Sequence, residues 1–503
     1  MITSSAVPPA RIGRSAFSDP WLAAALWTLA MVAVAAAARL LVWYWPGRVF
    51  DGVTSHIWTA LAWDLAHGHF YRPPLGPDGY GGTRYMPLLF ATQALLMRLG
   101  LDPIHAGVLL MQGSVLAAAA ALYAALRAHQ VSRRLAAPLA LTVFGTVIYQ
   151  QYCTDLNPDY LAFALAMSSV PLALRSVRHH QPRWLFAAGL AIVLAALTKV
   201  TALAYLAPVA WWLLTSGRGR SAAWFAMGTI ALFSATAGLV EVASHGVFLE
   251  SFRATISGGM GSQDVWRAVP KFFREIALDP FVAVPFVVAC WCAFARRGRL
   301  GLPQLVLVTA SAITLVIFAS PGTVGNHLVD LHTASLLVAG AGMAGGRLPA
   351  RAATAVFAIM AAALAAISIP VPGIPSVMAT LRAQALPTRA TVRAIHGEFL
   401  PQGTRYLSTD PVIALLRDER PLLLDAFNLS RFVREGTPPG QDVERRLRRR
   451  DFAFVIVREG PLASQTHDDL ERLIHSMYEV IAVRRPFVVL VPRTDAPRAN
   501  DLR

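Results

Sequence analysis

Asp51 directly follows an apolar run that ends in Trp43, Tyr44 and Trp45, and Gly52 comes next. A carboxylate held at the end of such a run stands where lipid headgroups would be and is well placed to act on them. Asp155 and Asp159 bracket Asn157-Pro158, which reads as a turn before a helix. Asp155 there fits both a helix N-cap and a ligand to substrate. Lys199 is one of two lysines in the chain, the other being Lys271, and it lies between two apolar stretches. A lone cation in that setting must face a counter-ion, a lipid phosphate or the interface. Arg84 precedes Tyr85-Met86-Pro87-Leu88, and Asn326, His327 and Asp330 open another apolar stretch, where capping and packing account for them as readily as chemistry does. His56, His67 and His69 invite a metal reading, but His67 and His69 fall on different helix faces, which argues against zinc.

The elements that must hold these residues are membrane helices. The chain has 503 residues, 55% hydrophobic and only 15% charged, with a mean hydropathy of +0.49. Apolar runs near 20 residues recur, each long enough to cross about 30 Å of hydrocarbon. The net charge of +16 does not point to nucleic acid, because the arginines form short clusters between the apolar runs, as topology signals do. Arg11 and Arg14 put the N-terminal tail, residues 1–20, in the cytoplasm, and the first apolar run reads as a retained anchor. The clusters at Arg127, Arg133 and Arg134, at Arg175, Arg178 and Arg183, at Arg218 and Arg220, at Arg296, Arg297 and Arg299, and at Arg347 and Arg351 contain no acid between them. Placing them all inside predicts spans at about 21–45, 104–126, 135–152, 159–174, 184–198, 200–214, 222–243, 278–295, 301–319, 328–345 and 352–370, about eleven in all. The stretch 184–214 must then be a hairpin turning near Lys199 at the outer face. The segment 85–99 is expected to lie in the outer interface. Asp51, Asp64, Asp78, Asp155, Asp159, Glu250, Asp264, Glu275, Asp279 and Asp330 fall in or beside outer loops, a fact that did not enter the construction.

Residues 373–503 differ in character. Segments 404–409, 421–425, 452–457 and 486–491 read as strands, and 410–417, 441–450 and 467–477 as helices. The fold class expected is therefore an all-α polytopic membrane domain, residues 21–372 with a first outer loop at 46–103, followed by a small α/β extracytoplasmic domain. Arg445, Arg446, Arg448, Arg449 and Arg450 form a basic run that reads as a solvated helix face or as a contact for anionic headgroups. Cys153, Cys290 and Cys292 lie in or beside apolar runs and imply no disulfide framework.

The run Asp51, Ala66, Gly68, Tyr71, then Arg84-Tyr85-Met86-Pro87-Leu88 resembles the first outer loop of GT-C-type glycosyltransferases, which include protein O-mannosyltransferases and aminoarabinose transferases. Asp155-Leu-Asn-Pro-Asp159-Tyr, Thr198-Lys199 and Gly325-Asn326-His327-Leu-Val-Asp330 follow in the family's order. Many members carry Asp-Glu where this chain has Asp51-Gly52. The resemblance implies inverting transfer of a sugar, hexosyl or pentosyl, from a polyprenyl-phosphate donor to an envelope acceptor at the outer face of the inner membrane. It implies Asp51 and Asp155 as catalytic carboxylates, with Lys199, Arg84 and Tyr85 at the donor phosphate. Asp159, His56, Asn326, His327 and Asp330 would contact substrate or acceptor, with a wall from loop 245–278. Partners would be the lipid-linked donor and membrane lipids. Cations or a metal must stabilise the charge on the departing phosphate; no cofactor is assigned, and a divalent cation held by Asp51 and Asp155 is left open. Phosphate departs without a proton, so one base suffices, unlike ordinary glycoside hydrolysis. No Walker A loop, Rossmann glycine pattern, HExxH or GxSxG motif occurs in a fitting context. The rival reading is a transporter of lipid-linked precursors; it expects mid-membrane acids and internal repeats, whereas here the acids gather toward one face and no repeat is seen.

Overall fold

The computed structural model describes residues 19–44, 52–256, 262–294, 300–320, 323, 325–368, 388–459 and 468–494. Helices stand at every expected span: α1 (Pro20–Tyr44), α4 (Pro103–Ala128), α5 (Arg133–Leu141), α6 (Val147–Tyr152), α7 (Pro158–His179), α8 (Pro182–Thr198), α9 (Leu206–Thr215), α10 (Gly219–Ala243), α13 (Pro280–Phe294), α14 (Leu302–Phe318), α15 (Val329–Ala344) and α16 (Ala350–Ser368). Outside them lie α2 (Val53–Ala66), α3 (Pro87–Arg98), α11 (Val247–Thr255) and α12 (Ser262–Leu278). By length and composition α1, α4, α7 and α10 can each cross a membrane, and α12 with α13 forms an apolar pair bent by 110°. Others are shorter than expected because the chain breaks. The span expected at 135–152 is interrupted by a 3-10 turn, Thr142–Gly145, and the 184–214 stretch breaks at Lys199, whose backbone is extended (φ −148°, ψ 112°). At 12 residues, α3 is about 18 Å long, too short to cross, and it lies against α2 through Gln93 and Thr59 (2.9 Å).

α7 packs against α4 and α8, α1 against α16, and α15 against α13 and α14. α15 is buried almost throughout, which is why its sequence shows no polar stripe. Among the described residues, Arg178, Arg218 and Arg347 gather at one end of the bundle and bond carbonyls in or near the last turns of helices there, as orphan carbonyls require. Arg178 donates to the Ala128 carbonyl (2.6 Å), Arg218 to Val177 (3.4 Å) and Arg347 to Cys292 (3.0 Å).

The C-terminal domain has a four-stranded sheet ordered β1-β2-β4-β3, from β1 (Tyr406–Ser408), β2 (Phe454–Arg458), β3 (Tyr478–Arg484) and β4 (Phe487–Pro492). β1 and β2 are parallel, and the other pairs are antiparallel. The expected strand at 421–425 is absent. Leu423 instead forms an isolated bridge with Tyr80 of the first loop, and Asp425 caps a helix, Ala426–Arg434, through the N–H groups of Phe427 (2.9 Å) and Asn428 (3.3 Å). The apolar run is buried against that loop, not in a sheet. β3 carries outward apolar residues on an edge, without the alternation that marks a half-buried strand, so the pattern did not reveal it.

The first loop is thus clamped between the helix bundle and the C-terminal domain. Tyr80 N–H donates to the Leu422 carbonyl (2.8 Å) and Leu424 N–H to the Tyr80 carbonyl (2.9 Å). Gly79, at φ +124°, lies so close that a Cβ would overlap the Leu422 carbonyl, so only glycine fits there. Arg72 and Asp64, both buried, form a bidentate pair, and Arg420 joins it through Asp64 (3.0 Å) and Asp78 (2.6 Å).

Candidate active site

Opposite the arginine-rich end, four of the residues singled out in the sequence converge. Asp159 lies buried in the first turn of α7. Lys199, at the break after α8, makes a short ion pair with it. His327 Nδ1 lies 3.2 Å from the same carboxylate oxygen and 3.2 Å from Lys199 Nζ. Asn326 Nδ2 donates to the other oxygen at 3.4 Å. Both Asn326 and His327 are carried by a 3-10 turn, Gly325–Leu328, that leads into α15. Asp330, one turn further, is buried within electrostatic reach of Lys199. The local reason for this meeting is the set of helix starts and stops. Asn157 caps α7 by accepting from Asp159 N–H (2.9 Å), and the extended backbone at Lys199 ends α8 at the same level.

Asn157, not Asp155, is therefore the cap of α7. Asp155 instead accepts from Gly52 N–H at 3.0 Å. A Cβ at Gly52 would sit 3.0 Å from Asp155 Oδ2, so a glycine at this position gives the carboxylate its close approach. Asp51, the expected base and the residue before Gly52, lies outside the described residues.

Arg84 is half-buried on the side facing α11. It donates to the Thr255 carbonyl (3.4 Å) and lies within electrostatic reach of His327 and Asp425. Among the described residues it has no carboxylate at ion-pair distance. Burial raises the Asp425 carboxyl, and Arg84 opposes that rise. Tyr85 is not in this cluster. Its ring stacks on Trp58 (4.2 Å between centroids) and its carbonyl accepts from Tyr71 (2.9 Å), so its visible role is to pack the loop behind Arg84.

His56 is also elsewhere, contrary to the expectation of an acceptor contact. It is 0% exposed and bonds Asp410 of the C-terminal domain at 2.7 Å. Asp410 binds Arg458 through its other oxygen (2.6 Å). A fully enclosed imidazole cannot meet an acceptor, and this one ties the domain to α2. No sequence pattern pairs residues 354 positions apart, so Asp410 and Arg458 were not legible as its partners. Burial pushes the Asp410 carboxyl up, but His56 and Arg458 outweigh it and hold the group well below the usual carboxylate range. A carboxylate depressed on folding adds stability above its unfolded pKa, about 4, and loses it as pH falls through the lower native value. Domain docking is therefore expected to weaken below about pH 4. Asp410→Asn is expected to cost about 3–5 kcal/mol at neutral pH, read as a fall in the midpoint of thermal unfolding; an unchanged midpoint would remove the pair from the interface energetics.

Among the described residues no three His, Cys, Asp or Glu side chains group as a metal site. Asp51, expected to share a divalent cation with Asp155, lies outside the described residues.

With this geometry in hand, comparison with known proteins is informative. Residues 85–248, which carry Tyr85, Asp155, Asp159 and Lys199, match the family model for dolichyl-phosphate-mannose-protein mannosyltransferases. ArnT from Cupriavidus metallidurans, solved bound to undecaprenyl phosphate, superposes with a TM-score of 0.58 at 16% identity, over 93% of this chain and 98% of that one. The apo oligosaccharyltransferase of Archaeoglobus fulgidus gives 0.55 at 12% identity, over 96% of this chain and 76% of that one. No curated protein matches by sequence. The chain has the GT-C fold, a polytopic helical membrane domain with a small C-terminal sheet domain, and the family model matches the stretch that carries the motifs from Tyr85 to Lys199.

Proposed function

We propose that this chain is a membrane glycosyltransferase that moves a sugar from a polyprenyl-phosphate carrier to an envelope acceptor, at the inner membrane and on its outer face. The observation that carries the reading is the cluster of a buried Asp159 with the half-buried Lys199, His327 and Asn326 at the end of the bundle opposite the arginine loops. Two solved proteins of the same fold support it, one of them bound to undecaprenyl phosphate and the other an oligosaccharyltransferase.

In this reading Asp51 takes the proton from the acceptor hydroxyl as its oxygen attacks the anomeric carbon. The bond from that carbon to the phosphate oxygen breaks, and the electron pair leaves with the phosphate, so the anomeric configuration inverts. Asp155 positions Asp51 through Gly52 N–H. The developing phosphate charge needs a cation. Lys199 is already paired with Asp159, so the first candidate is Arg84, with Lys199 holding Asp159 and His327 in register. Asp330 lies beneath them. The arginine-rich end faces the cytoplasm, and α11 and α12, from the 245–278 segment, wall the acceptor side.

The test uses the full chain in proteoliposomes with a polyprenyl-phosphate sugar, following release of polyprenyl phosphate and the anomeric configuration of the product. Arg84→Gln is expected to lower kcat/KM for the donor by about 10²-fold or more. Unaltered turnover would move the phosphate site away from Arg84. Net transfer of the lipid-linked sugar across the bilayer with no glycosidic product would favour the transporter reading instead.

A further inference from the structure

At the end of the bundle away from the Asp159 cluster, a cavity of about 300 Å³ opens among α9, α14 and α15, lined by His129, Trp212, Gly301, Pro303, Gln304 and Arg347. Three features of it point the same way. α14 begins there at Leu302, with Gly301 as its N-cap and no side-chain cap, so the positive end of a 17-residue helix faces the space with part of its N–H complement unmet. Arg347 anchors one guanidinium nitrogen on the Cys292 carbonyl (3.0 Å), yet its Nε is buried and has no partner among the described residues. His129 Nε2 is likewise buried and unpartnered there. A buried donor left unmet costs about 1–3 kcal/mol, so the Arg347 Nε–H calls for an acceptor in this void, and the His129 ring can turn its N–H to the same acceptor in the matching tautomer. The loops at 127–134, 175–183, 218–220 and 347–351 contain neither Asp nor Glu, so none of them supplies a carboxylate to the cavity.

We propose that this cavity is a phosphate-binding site, recognising its ligand by the Arg347 guanidinium, His129 and the N-terminus of α14. A helix N-terminus with an adjacent guanidinium is complementary to a phosphate. The same chemistry is offered by an anionic lipid headgroup and by free phosphate. Outward-facing Trp211, Leu214 and Leu300 beside the mouth would lie along the acyl chains of a lipid held there, as in basic pockets between membrane helices. The site is separate from the proposed active site, and its fate does not depend on that reading.

The experiment reads thermal unfolding of the full chain in nanodiscs of phosphatidylcholine, with and without phosphatidylglycerol, and in phosphatidylcholine nanodiscs with inorganic phosphate at fixed ionic strength. Phosphatidylglycerol is expected to raise the Tm by a few degrees, roughly 2–4 °C, and Arg347→Gln to abolish that gain. A gain with inorganic phosphate that Arg347→Gln abolishes keeps the site and assigns it to a soluble anion. Should Arg347→Gln fail to fold, His129→Leu is read in the same way. No gain from either anion, or a gain that survives the substitution, overturns the proposal and leaves the cavity to water.

Discussion

Asp51→Asn is expected to lower the turnover number for sugar transfer by about 10²–10⁴-fold, with little change in donor KM and no change in thermal unfolding. The asparagine keeps the size and polarity of the side chain and removes only its capacity to accept a proton. A base acts in the transition state alone, so its loss falls on kcat and not on binding. Asp155→Asn offers the companion measurement. Its carboxylate accepts from Gly52 N–H at 3.0 Å, and an amide oxygen still accepts that bond, so a positioning role predicts a smaller loss than at Asp51. Equal collapse at both positions would make Asp155 a reacting group, and full activity in Asp51→Asn would remove the first outer loop from the chemistry.

The second large effect concerns the pair at the centre of the cluster. Asp159 is buried, and Lys199 and His327 both depend on it. Removing one member of a buried pair strands the other, at a cost of about 3–5 kcal/mol, whereas replacing both with apolar groups is often close to neutral. Asp159→Leu is therefore expected to unfold at a clearly lower temperature, and Asp159→Leu with Lys199→Met to recover most of that loss. Transfer activity is expected to stay absent in both. That separation of stability from activity is what distinguishes a functional ion pair from a structural one. Recovery of turnover together with stability in the double variant would show that the pair only holds helices together.

Much of this architecture was legible in the sequence for simple reasons. Membrane spans announce themselves because hydrocarbon demands long apolar runs with every backbone group bonded internally. The arginine clusters then set which ends lie together, and the structure groups Arg178, Arg218 and Arg347 at one end as expected. Asp159, Lys199, Asn326 and His327 stood out because charged or polar side chains beside apolar runs are costly unless partnered. Other readings failed where a residue's surroundings come from far along the chain. His56 reads as a substrate or acceptor contact on the first outer loop, but it is fully buried and bonded to Asp410, 354 positions away. Leu422 to Leu424 looked like strand because burial was legible and its partner was not.

The amino-acid sequence by itself therefore determined the order of the apolar helices and the set of side chains from which a site could be built, because transfer to hydrocarbon is a property of each segment alone. Only the tertiary structure decided that Lys199 is spent on Asp159 while Arg84 has no such partner among the described residues, that Asp155 holds Gly52 and is not a cap, and that Arg347 and His129 meet the N-terminus of a helix without a side-chain cap at the other end. Ion pairs, caps and cavities are set by distances of a few ångströms between residues hundreds of positions apart, and no local pattern encodes those.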